Sequence, residues 1–592
     1  MPKSATISVV NGHNISNKLI ITLLKEVVAA MEVKGYNRFR VSAYQNAISI
    51  LENYTESLYD MWENRRLSQI PGLGASLINH LNDLFKTGQV KSFDAALEDL
   101  PQGMFSLLAL RGVGPKKAFK LATQFNLDKR DTALDLIKKY AKQNKIQEME
   151  GFGEKSEALI LEAIEESYTT KSEKPRVLYP FAEKIVTDII KYMRELDCVV
   201  ELEATGSFRR KNPTIGDLDI PVSTTNKKEA LDHFLAYPKI LKVLVAGKKR
   251  TSVLLKNDMQ VDLYVCDPEE YGSMLQYFTG SKQHNILLRN HALSKKMSLS
   301  EYGIKTNGDL IKTPTEKEFY KYLNVSYIEP ELREGGDEID IALKNELPKL
   351  VELSDIKGDL HMHTDLSDGL NTIEEMAEAA IRKGYQYVGI TDHAPSVRSR
   401  GYGNVLKIVE DTRKQIDDFN KGQDKIKVYY GYEVNILADA EVSLPTEILK
   451  NLDFAIAGIH TAYRQTKEQM TRRIISAISS QYINIIAHPS SRILNERDPA
   501  DPDWHQVFRA AKEFDVALEI NSQPDRMDLP YDLVKLANEK GVKLIINSDA
   551  HSTSQLNYIK YGVFNARKGW SSKKNIINTL DRKEFEKALK VR

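Results

Sequence analysis

The stretch KGDLHMHTDLSDGLNT, residues 357 to 372, sets His361 and His363 two apart and Asp368 five positions beyond. Alone it suits either a metal site or a polar loop leaving a strand. Further on come His393 in TDH, Glu433 in GYE, His460 in GIH, His488 in AHP, and Asp549 with His551 in SDAH. Each falls at or just past the end of a strand-like segment, and Asp368 lies in the loop after the first. Isolated strand histidines are usually structural, but six of the chain's twelve at one pole, with three carboxylates, call for another explanation. Nine donors exceed the three or four that a single zinc-like ion takes, so the count suits two or three metals with bridging carboxylates.

A second set lies upstream in ATGSFRRKNPTIGDLDIPV, residues 204 to 222. Asp217 and Asp219 are two apart, so on a strand both carboxylates face one side. Asp262, after the KNDM turn in TSVLLKNDMQVDLYVC, falls on a neighbouring strand of a predicted hairpin. Three carboxylates on adjacent strands can hold two hard cations about 3.5–4 Å apart for an in-line phosphoryl displacement. Ser207, the backbone at Gly206, and Arg210 are placed to cradle triphosphate oxygens. D-x-D by itself is equally a structural pair.

Residues 17 to 170 predict helices, with apolar residues recurring at three and four, and strand-like segments begin only after about 195. One unit repeats inside the helical part: IPGLGASLINHLNDLF from Ile70, LRGVGPKKAFKLATQF from Leu110 and MEGFGEKSEALILEAI from Met149. Its glycine pairs are Gly72 and Gly74, Gly112 and Gly114, and Gly151 and Gly153. Gly-x-Gly before a helix lets backbone N–H groups approach a phosphate at the positive end of the helix dipole. Such contacts hold a nucleic-acid backbone without reading its sequence. The alternative is glycines that merely end helices, and it weighs most on the third copy, surrounded by Glu148, Glu150 and Glu154.

Beyond the acidic stretch IEPELREGGDEIDIALKNELPKLVE, read as a tether ending in a short helix, seven strand-then-helix alternations follow: GDLHMH, YVGITDH, IKVYYGYEV, LDFAIAGIH, INIIAHP, VALEINS and VKLIINSDAH. That regularity predicts parallel strands closing as a barrel, whose functional face is the C-terminal end of its strands.

With 592 residues, the chain needs several cores. Net charge is +1, from 83 basic and 82 acidic residues, and speaks neither for nor against nucleic acid. Locally, Thr205 to Lys256 carries eleven Lys/Arg against four Asp/Glu, either a stripe for phosphates or a solvated charged face. Two cysteines, Cys198 and Cys266, are too few for a disulfide framework or zinc ribbon, and a reducing cytoplasm is the default. The sequence has no apolar run of membrane-spanning length and no signal-peptide order at its start, so no membrane partner is expected.

Taken together, GSFRR, DLDIPV, QVDLYV and YFTGSKQHNILLRNHALSKKMSLSEYGI from Tyr277 resemble the family X DNA polymerases of the nucleotidyltransferase superfamily, over about residues 15 to 330. HMHTDLSDG, TDH, GYE, GIH, AHP and SDAH resemble a polymerase and histidinol phosphatase (PHP) domain. The implied fold is multidomain. A helical DNA-binding region with helix-hairpin-helix motifs comes first, in two parts, 1–92 and 93–172. An α+β palm at 173–268, a subdomain for the nascent base pair at 269–335, a linker at 336–356 and a (β/α)7-type PHP barrel at 357–592 follow.

By position the resemblance implies that Asp217, Asp219 and Asp262 are catalytic and bind Mg2+ or Mn2+. It implies triphosphate contacts at Gly206, Ser207, Arg210 and Gly216, with Arg176 as another phosphate ligand. Tyr277, Phe278 and Gly280 would flank the incoming sugar, and Asn285 the base. Arg289 would meet the template, and Gly72, Gly74, Gly112 and Gly114 the DNA backbone, with K+ or Na+ in the hairpins. The barrel would hold two or three Mn2+ or Zn2+ ions. The implied activity is gap filling in DNA repair on gapped or primed DNA with dNTPs, by a cytoplasmic, nucleoid-associated monomer. The PHP part would be a 3′ to 5′ exonuclease, with an abasic-site endonuclease as a further activity. One departure is His80, where members that remove 5′-deoxyribose phosphate carry a Schiff-base lysine. An imidazole cannot form that iminium, so His80 is expected to be a polar residue on a solvated helix face. Two other readings remain open: a barrel that hydrolyses pyrophosphate or a small phosphomonoester in support of the polymerase, and a front half that only scaffolds DNA.

Overall fold

Apolar side chains at helical spacing give the front of the chain its form. The computed structural model describes residues 17–52, 58–70, 73–110, 112–170 and 176–591, which form two compact units.

The first unit takes in the helical part, residues 183–200 and residues 216–265. Its helices, from Asn17–Val33 to Glu154–Thr170, bury Leu24, Leu81, Leu121, Ile137 and Ile164 in one core. The repeated glycine turns precede the helices Ala75–Thr87, Pro115–Gln124 and Glu154–Thr170. Gly112 and Gly151 adopt φ of 80° and 84°, a left-handed backbone that disfavours any residue with a β-carbon. Beyond the helices, a five-stranded sheet is ordered Val199–Leu202, Asp217–Thr224, Gln260–Cys266, Arg250–Leu255, Ile240–Ala246. The pair Arg250–Leu255 and Gln260–Cys266 is antiparallel, so the expected hairpin is present, and its second strand lies beside the strand of Asp217 and Asp219.

The second unit contains residues 178–182, residues 201–215 and the chain from 266 onward. Its barrel has the seven expected parallel strands. The first three run from Gly358–Asp359 through Tyr387–Ile390 to Lys427–Tyr430. The third resumes at Glu433–Asn435 after Gly431, where the Phe454 ring leaves no space for a β-carbon. Ile456–Gly458, Ile485–Ile486, Ala517–Asn521 and Leu544–Asn547 follow in order. Parallel pairing of Met362 with Ala550 joins the first strand to the last, and pairing of His393 with Glu433 joins the two runs. Strands buried on both faces read as near-continuous Val, Ile and Leu, which is why IINS and VALEINS were recognisable.

The acidic stretch departs from the expected tether. Glu338 opens a short helix, Glu338–Leu343, and is buried against His284, Nδ1 to Oε1 2.8 Å. Ile339, Leu350 and Val351 are also buried. Its charge suggested solvent, but the carboxylates that matter have partners. Nearby, fully buried Arg333 pairs with Glu316 at 2.6 Å, and Arg209 takes that residue's other oxygen at 2.6 Å.

Candidate active centres

Every barrel residue singled out by type and spacing lies in one cluster at the C-terminal pole. Glu433 stands at its middle. Its Oε1 lies 2.7 Å from His488 Nε2 and 2.9 Å from His460 Nε2, and its Oε2 2.9 Å from His393 Nδ1. His361 and His363 approach Oε2 at 3.7 and 3.8 Å and Asp549 Oδ1 at 3.4 and 3.2 Å. Asp368 closes the outer side, 3.4 Å from both His393 Nε2 and His551 Nε2.

Three overlapping donor groups result: His363, Asp368, His393 and His551; His361, His363 and Glu433; and His393, Glu433 and His460. The donor set fits metal ions on a second ground. His361 Nε2, both ring nitrogens of His363 and His488 Nδ1 are buried without a hydrogen bond, and an unpaired buried polar atom costs about 1–3 kcal/mol. A cation would satisfy such nitrogens. The carboxylates also make the pole's field negative. Burial opposes charge on His393, but Asp368 and Glu433 outweigh it and push its pKa up to about 10. Burial also opposes an ionised Glu433, yet the surrounding histidines hold its carboxyl well below the usual range.

Several further residues complete this centre; of these, Glu519 and Asn521 lie near the same pole by sequence, where nothing gives them a role. Glu519 is fully buried; its Oε1 lies 2.8 Å from His361 Nδ1, and its Oε2 accepts from the His488 amide at 2.7 Å. It fixes the ring that presents Nε2 to the cluster. Asn521 donates to Asp549 at 3.0 Å. Asp392 accepts from the Thr364 amide and hydroxyl, both at 2.7 Å, and pins the loop carrying Asp368. At Gly458 a β-carbon would stand 2.7 Å from His488, 2.9 Å from Glu433 and 2.9 Å from His460. Its only sequence cue is its place two residues before His460. His488 and Asp549 themselves adopt positive φ, 30° and 54°, the kind of strained backbone often found at functional sites. Arg492 donates to the carbonyls of Arg526 and Met527.

In the first unit the three aspartates are brought together. Burial, then the charges of Asp217 and Asp262, push Asp219 up to about 7. Asp262 accepts from Arg250 at 2.8 Å. The Arg176 guanidinium lies 3.2 Å from where a Gly216 β-carbon would stand. In the second unit, Gly206 and Ser207 begin the one-turn helix Gly206–Arg209, and Arg210 donates to the Thr279 carbonyl at 2.6 Å beside Gly280. Asn285 donates to the Tyr277 carbonyl at 2.8 Å and accepts from Gln276 at 2.8 Å. Arg289 lies over the Tyr277 ring, whose edge meets Phe278.

Residues 15–90 match a helix-hairpin-helix domain, 180–285 the DNA polymerase beta palm, 274–334 the DNA polymerase beta thumb, and 359–523 the PHP domain. Over 577 residues, 97% of this chain and 99% of the relative, it is 34% identical to DNA polymerase/3'-5' exonuclease PolX of Bacillus subtilis (strain 168). The chain belongs to the family X DNA polymerases that carry a PHP domain. Over 33% of its length it is also 33% identical to a probable phosphatase of Thermoanaerobacter sp. (strain X514), covering 78% of that protein. A probable phosphatase of Caldicellulosiruptor bescii is 31% identical over 32% of the chain. Both likenesses are confined to about a third of the chain.

This membership implies DNA and dNTPs as substrates and a need for metal ions. Within the family X polymerase part, the helix N-termini at Gly74 and Gly114 have no side-chain cap; Gly72 lies outside the described residues. The third hairpin differs, because Lys120 donates to the Glu150 carbonyl at 2.5 Å in its turn. The expected solvated His80 is corrected: it is half-buried, with Nδ1 2.6 Å from the Tyr44 hydroxyl and Nε2 3.1 Å from that of Ser92. The basic stripe is paired in part, while Lys242, Lys248 and Lys249 are exposed. Arg209 is held by Glu203 and Glu316, Arg210 by Glu334, and Arg250 by Asp262. No helix of the described residues is long and apolar enough to cross a membrane.

Proposed function

We propose that this chain fills short gaps in primed DNA from dNTPs and trims DNA ends 3′ to 5′ with its barrel. The observation that carries the reading is a barrel pole that gathers six histidines and three carboxylates, in one chain with a palm that keeps Asp217, Asp219 and Asp262. Mg2+ or Mn2+ on the aspartates, and Mn2+ or Zn2+ at the barrel pole, would activate an oxygen nucleophile and neutralise developing charge on phosphate. The chain's own residues do the rest. Ser207, Gly206 and Arg210 take triphosphate oxygens through N–H and O–H donors, with Arg176 and Gly216 as further contacts. Asn285, its side chain fixed by Gln276 and the Tyr277 carbonyl, is pre-oriented for the incoming base. At the barrel, Arg526 lies 3.9 Å from Asp549 and supplies a cation that can meet a substrate phosphate. Abasic-site cleavage is consistent with the same phosphodiester chemistry.

The test separates the two centres. Asp217→Ala is expected to abolish primer extension on gapped DNA and spare degradation of single-stranded DNA; His361→Ala is expected to do the reverse. Loss of both activities in either folded variant sinks the reading. The probable phosphatases that match the barrel favour a second reading, hydrolysis of pyrophosphate or a small phosphomonoester. Offering Asp217→Ala protein single-stranded DNA, pyrophosphate and histidinol phosphate discriminates, and a preference for either small substrate would move the barrel to that class.

A further inference from the structure

The loop that carries Arg210 is supported by a helix of the barrel. Residues 201–215 belong to the same compact unit as the barrel, and the helix Ile559–Lys568 presents Tyr561, Phe564 and Lys568, one face at helical spacing, to that loop. The Tyr561 and Phe564 rings meet the Tyr179 ring edge-on at 6.1 and 5.5 Å, and Tyr179 stacks on Phe208 at 4.7 Å. Lys211 closes the group, its ammonium 4.6 Å from the Phe564 ring and donating to the Tyr179 hydroxyl at 2.8 Å.

The last residue of that face is the unusual one. The Lys568 side chain is wholly buried, donates to the Arg210 carbonyl at 3.2 Å and pairs with Glu334. Glu334 in turn accepts from Arg210 Nε at 3.1 Å. Burying an ammonium is costly, and an apolar side chain of similar volume would often stabilise a fold as well or better. Charge gives the lysine a use. Arg210 and Glu334 alone cancel; with Lys568 the trio keeps one net positive charge, and Lys568 shares with Arg210 Nε the same Glu334 oxygen, Oε1.

We propose that Lys568 is a positioning residue for nucleotide binding: by neutralising and anchoring Glu334, it keeps Arg210 oriented and electrostatically available to the dNTP triphosphate. The inference rests on the assignment of Arg210 to the triphosphate. It makes dNTP affinity depend on a side chain of the barrel that takes no part in the barrel's own chemistry.

Gap filling by the full chain tests it. Lys568→Met is expected to raise the KM for dNTP about tenfold, the effect of about 1.4 kcal/mol, with kcat changed much less and degradation of single-stranded DNA unchanged. Adding Glu334→Gln to Lys568→Met removes the uncompensated carboxylate and is expected to bring KM back towards wild type. A role in packing alone predicts no such recovery, and its absence overturns the inference. Lys568→Gln is made alongside, with the same rise expected; a wild-type KM in whichever of the two single variants folds also overturns it. Arg210→Ala distinguishes the levels. If it leaves KM unchanged, the assignment of Arg210 fails and the inference with it. If it raises KM while the Lys568 variants do not, only the inference fails.

Discussion

At Gly458 three side chains of the barrel cluster come so close to the backbone that one added carbon would meet all of them at under 3 Å. Gly458→Ala is therefore expected to displace His460 or His488 and lower nuclease activity at least tenfold, the scale of losses when a ligand's supporting contacts are disturbed. Primer extension measured on the same sample should not change. Glu519 acts through a neighbour instead. Glu519→Gln weakens the hold on His361, and metal affinity and nuclease rate should each fall about 10- to 100-fold, read by metal titration and by degradation of labelled single strands. These residues also mark the limit of what the sequence discloses. The histidines could be found because each follows a run of β-branched residues, and a strand end is a predictable place. Glu519 could be placed near the same pole but given no role, since its meaning lies in a ring 158 positions earlier. Gly458 looked like part of an apolar run.

The segment joining the polymerase part to the barrel is a folded element, and its anchor responds to pH. Buried His284 has its pKa lowered by desolvation, so it is neutral, with Glu338 on one nitrogen and the Tyr320 hydroxyl 2.9 Å from the other. Because its folded pKa lies below the unfolded value of 6.5, the unfolded chain binds the proton better. The stabilisation is present above 6.5 and is lost as pH falls below it. Glu338, held below the ordinary carboxyl value, acts in the same direction at still lower pH. Thermal melts should accordingly show His284→Gln less stable than wild type at pH 7.5, with the gap narrowing at pH 5.5. A gap that widens on acidification would contradict this account. Acidic composition had suggested a tether here because composition does not say which carboxylates find partners. The barrel strands were legible for the opposite reason: their alternation with helices is a long-range regularity that no single pairing can disguise.

Across the whole molecule, metal ions and fold stability should be linked. The barrel cluster concentrates three carboxylates with buried, unpaired imidazole nitrogens, so a cation bound there favours the folded state. At a concentration of 100 times the dissociation constant that gain is about 2.7 kcal/mol. Adding Mn2+ to chelator-treated protein should raise a melting transition in calorimetry, and Glu433→Ala should lose most of that rise, since Glu433 touches more of the cluster than any other ligand. The seven-strand closure by Met362 and Ala550 has a further consequence for the order of events during synthesis. A ribosome completes the palm and thumb long before it reaches the strand Leu544–Asn547 and the last ligands, Asp549 and His551. At roughly 5–20 residues per second, tens of seconds or so separate His361 from His551. A nascent or prematurely terminated chain that stops short of Asp549 would therefore lack both an assembled degrading site and the helix Ile559–Lys568 that supports the Arg210 loop, so neither activity precedes closure of the barrel. The lag is built into the barrel's circular closure and needs no inhibitor.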